Sequence, residues 1–548
     1  MCRRGQRPEF VSVGIARRSQ RRHTAISIQP ACHTLQLRTK SQAVIGRALS
    51  PELLNNDLQT DGNTLVIRTS LISKLMTAAF TLAVCISPGP SVANQKDADD
   101  RVVWEYSGGF GKSWFTDLGN KKWIIYLGNS TTVLNVEEER TPEFITLRSP
   151  STGLWTRLHR NYGELRRAPE GPWKRWNTKG RWVGRDALPK NAVAFDDYQI
   201  RVLYFVPSDR KPVPDYEAKI RVVLAYVEEL YRSSPSLRRL KLKRLPFERD
   251  GEEPRIHLVQ ADKPASFFNE GPVNNGDQLK RLSDYVKQNL YDPARRTTLI
   301  IPETWETGPA DDVWPGHIAR AGVISPEGGL AAYSGWILQD RFCATSVAEQ
   351  RRLFFDKTPV PGRRSFGVPG TNSPVFQFVE NGIGGVAHEL GHALGLPHDN
   401  RNSAVNIMGG GFRNIRVNFD SSAPRSKRVG FSVDNGRLLM SSRYLATDSN
   451  NDDYDPPIVE ARISRTRTGR FVFEIKVSDE SELKALVVAR YDAATHVLFG
   501  KALRGKQQSV RELGDPGINE STTGFRIMVI DGGGNLTTKH VPIADVVE

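Results

Sequence analysis

His388, Glu389, His392 and His398, with Gly395 between the last two histidines, are the residues of this chain whose types and spacing suit chemistry. Residues 383 to 394 carry apolar side chains at helical spacing, so His388 and His392 project from one helix face toward one point. Neutral imidazole nitrogen suits Zn²⁺ at about 2.0–2.1 Å, and catalytic zinc sites take three protein ligands and keep a fourth position for water. His398 is the third ligand on this reading. Gly395, without a Cβ, can end the helix in a left-handed turn that brings the chain back, and Pro397 forbids helix continuation. Glu389 is placed to take a proton from a zinc-activated water as general base. A His pair that merely packs on a half-apolar helix would account for His-Glu-x-x-His, but not for the longer register that adds Gly395 and His398.

The run His388-Glu389-x-x-His392-x-x-Gly395-x-x-His398, followed by Asn406-Ile407-Met408-Gly409, resembles the metzincin clan of zinc endopeptidases. The resemblance implies three His ligands, a Glu base, Met408 as the Met-turn residue beneath the metal, and hydrolysis of a protein or peptide substrate. Asp399 after the third histidine is similar to the reprolysin branch, whereas the short gap from His398 to Met408 is nearer the matrixin branch, so no subfamily is assigned. Some metzincins carry a Tyr soon after the Met that helps hold the oxyanion. Here Gly409-Gly410-Gly411-Phe412-Arg413 follows, which leaves that role unassigned; Arg413 could serve, but an Arg in a Gly-rich loop is more often solvated, and that is the preferred reading.

A chain of 548 residues must divide into two to four domains to bury its cores. Its net charge of +15 invites a nucleic-acid reading, but residues 1–93 hold 12 Lys/Arg against 4 Asp/Glu, so +8 of the excess sits there, and no nucleic-acid-binding motif is evident. The mildly basic remainder suits solvated surface, with contact to a cell envelope or glycan as the alternative. Residues 1–64, Arg-rich and poor in acids, read as a disordered leader or as sequence upstream of the true start. Residues 65–93 read as a signal peptide: Lys74, an apolar run from Leu75 to Ile86, then small residues to Ala93. That run falls short of the roughly 20 residues a membrane span needs. A secreted or periplasmic protein is the expectation, with lipid attachment at Cys85 or organelle targeting as rivals. Of the four cysteines only Cys343 lies beyond Ala93, and it reads as a buried apolar residue rather than a thiol on zinc.

The elements that must position the histidines give an expected fold: an α+β zincin, metzincin-like, over 195–445, with a small N-terminal β module and a C-terminal β-sandwich. The N-terminal module, 94–190, holds seven of the ten tryptophans and is read as a β core of buried aromatics, or as a prosegment. Spacing predicts strands at 199–206, 255–261 and 298–302 and helices at 215–231 and 277–290. Residues 328–336 are expected to supply an edge strand, either one along which an extended substrate pairs or one that binds no ligand. Residues 446–457 form an acidic, Pro-containing linker, and 458–548 an immunoglobulin-like or fibronectin-like sandwich. Asp311, Asp312 and the stretch Asp448 to Asp455 carry oxygens that suit a structural Ca²⁺, but lack EF-hand spacing, so loop and linker are the preferred reading. His257, His317, His496 and His540 are isolated in sequence and read as structural. Two functional rivals stand beside the endopeptidase: a zinc amidase acting on cell-wall peptide links, and a non-catalytic surface-binding protein stapled by zinc. Glu389 argues against the second, because a structural zinc site needs no base and is closed by a fourth protein ligand.

Overall fold

The computed structural model describes residues 58–61, 64–67 and 101–547, apart from 109–110, 128–131, 189–197, 307–314, 326–327, 447–452, 493–494, 515–516 and 518–520. The apolar run 75–86, the cleavage region, Asp311, Asp312 and residues 448–452 lie outside the described residues. Met1–Ala98 and Asp99–Glu548 are separate units. In the first, Leu58–Asp61 pairs antiparallel with Thr64–Ile67. No helix among the described residues is long and apolar enough to cross a membrane.

The second unit opens with a nine-stranded antiparallel meander from Val103 to Val183, whose last strand, Arg181–Val183, returns to pair with the first, Val103–Gly108. Trp104 and Trp123 are fully buried in it, and Trp104 meets Phe115 edge-on. Large rings fill this small sheet, as a β layer of modest size requires.

The histidines sit in a mixed α/β layer. Its sheet has five strands: β1 (Arg201–Val206), β2 (Ile256–Gln260), β3 (Thr298–Pro302), β4 (Ala319–Ser325) and β5 (Gly328–Tyr333), in the order β2-β1-β3-β5-β4. All neighbours are parallel except β4, which runs antiparallel to β5. Along β1 the side chains alternate between two cores. Val202, Tyr204 and Val206 face helices α1 (Tyr216–Ser233) and α3 (Val375–Ala393), while Leu203 and Phe205 face α2 (Gly276–Asn289). Burial on both faces explains why β1 reads as a continuous apolar run. Residues 328–333, expected at the edge, are instead internal and buried throughout, because β3 and β4 flank them on either side. The antiparallel edge is β4.

The C-terminal region is β-rich. Strands β6 (Ile458–Arg465), β7 (Phe471–Ser478) and β10 (Gln507–Gly514) form one sheet. Strands β8 (Leu483–Tyr491), β9 (Thr495–Ala502), β11 (Gly524–Asp531) and β12 (Leu536–Pro542) form another, ordered β9-β8-β11-β12. The two sheets share a core that includes Phe473, Leu486, Val488 and Phe525. The opposite face of the second sheet, Ala485, Val487, Ala489, Met528 and Ile530, joins the core that contains α3. That sheet is therefore covered on both sides, and helix α4 (Val433–Ser441) packs against it.

Candidate metal centre

Helix α3 carries His388, Glu389 and His392 and begins at Val375, eight residues before its amphipathic stretch. Sixteen of its 19 residues are buried, which the small residues on its surface permit. A Cβ at Gly384 would fall 1.9 Å from the Phe412 carbonyl oxygen, and one at Gly391 would fall 2.5 Å from the Met408 sulfur. The loop carrying Met408 thus lies directly on the helix between its two histidines. After Ala393 the helix stops on Gly395, at φ +91°. Gly395 N–H donates to His392 O at 3.0 Å and Leu396 N–H to Gly391 O at 2.9 Å, a Schellman ending that turns the chain toward His398.

Three imidazole Nε2 atoms converge there, with separations of 3.1 Å (His388–His392), 3.1 Å (His392–His398) and 3.3 Å (His388–His398). His388 Nδ1 faces the Ile407 carbonyl oxygen at 2.6 Å and His392 Nδ1 the Leu396 carbonyl oxygen at 2.8 Å, so in both rings the proton belongs on Nδ1 and the lone pair on Nε2 points inward. Burial, joined for His388 and His398 by the neighbouring rings, holds all three neutral: His388 well below its ordinary value, His392 down to about 4 and His398 to about 3. Three inward lone pairs cannot bond one another. They fit a tetrahedral cation, for which bonds of about 2.0–2.1 Å place donor nitrogens about 3.3–3.4 Å apart.

The supports come from three directions. Met408 is fully buried, and its turn is tied to the third histidine's segment: Asp399 N–H donates to Met408 O at 2.9 Å, and Asn406 Nδ2 to Asp399 O at 2.8 Å. The Asp399 carboxylate is buried and paired with Arg401 at 2.5 Å, and although burial opposes ionisation, Arg401 and Ser432 hold it below the usual range. From the C-terminal region, Val497 N–H donates to His398 O at 2.8 Å and the His496 ring lies over His398, centroids 5.5 Å apart and planes at 29°. Asn400 Nδ2 donates to His496 Nδ1 at 3.0 Å. His496 is thus not isolated. Nothing in a local pattern could have found it, since about a hundred residues separate the two rings.

Glu389 is 8% exposed, and burial pushes its carboxyl up to about 8, against the pull of Arg320 on β4 and Arg413. Arg413, expected to be solvated, is half-buried: its guanidinium lies 4.1 Å from the Phe412 ring and Nε donates to Phe366 O at 3.2 Å. Phe412 in turn leans on His388, centroids 4.6 Å apart. Cys343 is remote from this chemistry; it is buried, its thiol donates to Lys219 O at 3.6 Å, and burial pushes it up to about 12.

No known family model matches the chain, and no curated protein does. Among solved structures, catalytically inactive OgpA from Akkermansia muciniphila, in complex with an O-glycopeptide (glycodrosocin) substrate, is 21% identical with a TM-score of 0.42, covering 66% of this chain and 98% of that one. Wild-type OgpA in another crystal is 22% identical at a TM-score of 0.42, with the same coverage. A likeness this distant does not bear on chemistry, which rests on the side chains described above.

Proposed function

We propose that this chain is an exported zinc-dependent endopeptidase with a metzincin-like catalytic region, in which His388, His392 and His398 hold the metal and Glu389 is the general base. The observation that carries the reading is the convergence of three neutral Nε2 atoms within 3.3 Å, backed by Nδ1 bonds to carbonyls on two of the rings. A zinc ion held there supplies Lewis acidity and brings the pKa of water from about 15.7 toward 7. Glu389 takes one proton from the attacking water and delivers it to the amine nitrogen as the C–N bond breaks. Edge strand β4, whose outer side is capped at Ala319 by Asn274 Oδ1 at 3.0 Å and which bears exposed Val323 and Ile324 beyond it, supports an extended peptide added as a further strand. Arg413, whose charge is felt at Glu389, is the candidate to support the developing oxyanion.

The test is zinc analysis of the chain from Asn94 together with mass spectrometry of a peptide mixture incubated with it. One zinc per chain and internal cleavage are expected, and both should fall with His392→Ala. Full zinc content in His392→Ala would remove the ligand assignment.

A further inference from the structure

A second group of metal-competent side chains lies outside this site. Asp453, in the linker ahead of β6, meets Asp479 and Glu480, from the turn after β7, with one ligand oxygen from each within 4.8 Å of the others. Asp453 is 8% exposed, and its Oδ2 is buried with no hydrogen-bond partner among the described residues; Asp479 Oδ2 is in the same condition. Two more carboxylates crowd the group. Asp455 is paired with Arg148 of the N-terminal sheet, and Asp531 accepts Asn535 N–H at 2.8 Å and Asn535 Nδ2 at 3.0 Å. Asn535 also reaches Asp453 Oδ1, at 3.4 Å, and so leaves both orphaned oxygens unmatched. Buried carboxylate oxygens without a donor are costly and are retained where a cation shares them.

We propose that Asp453, Asp479 and Glu480 form a calcium site that staples the linker to the sandwich. The reading is independent of the zinc centre. Calcium takes six to eight hard oxygens at about 2.3–2.6 Å in adaptable geometry, which three carboxylates within 4.8 Å of one another can begin to supply, whereas magnesium at about 2.0–2.1 Å demands a tighter and more regular cage. The ligands come from two segments on either side of β6 and β7, so the ion closes a loop in the chain and sets where the sandwich begins.

The experiment is calcium titration of the full zinc-loaded chain, freed of calcium on a chelating resin, by calorimetry and by thermal unfolding. It compares the wild type with Asp453→Asn/Asp479→Asn, with zinc content followed in parallel and magnesium titrated separately. One calcium per wild-type chain, a rise in Tm with millimolar calcium, and at least a tenfold loss of affinity in the double variant are expected. Without calcium, the variant should unfold at or above the wild-type temperature, because two mutually repelling carboxylates with buried, unpartnered oxygens have gone. Wild type that binds no calcium at millimolar concentration overturns the proposal. So does a variant with the same calcium-dependent shift, or one that is less stable than wild type without calcium. Magnesium bound as tightly as calcium overturns the choice of ion.

Discussion

His496→Ala tests whether the C-terminal sheet is part of the metal centre or merely adjacent to it. The substitution removes the ring over His398 and the bond from Asn400, while leaving the Val497 N–H to His398 O bond in the backbone. One net hydrogen bond contributes about 0.5–1.5 kcal/mol and an aromatic ring pair about 0.5–1.5 kcal/mol, so about 1–3 kcal/mol of restraint on the third histidine is lost. If all of it falls on metal binding, zinc affinity drops about 5- to 150-fold, in the range found when groups that orient metal ligands are removed. Competition against a chromophoric zinc chelator reads that change. His496→Asn, which offers a side-chain oxygen to Asn400 but no ring, should recover part of it. Turnover per zinc-loaded chain should change less than affinity, because His496 orients a ligand and does not touch the reacting atoms. Wild-type zinc affinity in His496→Ala would refute the argument and reduce the contact to packing.

Two further predictions concern the helix that carries the first two histidines. Gly384→Ala drives a methyl into the Phe412 carbonyl and should lower stability by about 1–3 kcal/mol despite the better helix propensity of Ala, whereas Gly322→Ala on β4, with nothing within 4 Å, should be neutral; equal Tm values for the two would contradict the packing described. Glu380, buried and only partly compensated by Arg416, has its carboxyl raised from 4.5 to about 7, so the folded chain holds that proton longer than the unfolded one. Stability should therefore fall as pH rises from about 4.5 to 7, by at most about 3 kcal/mol, and Glu380→Gln should gain on wild type across that window; a pH-independent difference would refute the assignment.

The legible parts of this protein are those decided within a few residues. His388 and His392 share a face because of helix geometry, and Gly395 takes the left-handed φ because only a residue without Cβ does so cheaply. Helix α1 and strand β3 lie where their periodicity predicts. The start of α3 was hidden: Val375 to Gly382 is almost wholly buried, so no polar stripe marks it as helix. Strands β10 and β12 were hidden for the opposite reason, since Gln507–Gly514 buries only Val510 and Leu536–Pro542 only Val541. The rank of Gly328–Tyr333 within its sheet could not be read either. Six small or apolar residues fit an edge or a centre equally, and pairing with β3 and β4 is a property of the whole sheet. The same non-locality concealed His496, Val497 and the meeting of Asp453 with Asp479.

The most direct test of the catalytic proposal is hydrolysis of casein by zinc-replete wild type and Glu389→Gln, with zinc measured in each sample. One zinc in both, cleavage by the wild type, and a loss of about 10²–10⁴-fold in the variant are expected, the contribution typical of a positioned general base. Zinc-replete Glu389→Gln that cleaves at the wild-type rate would contradict the proposal.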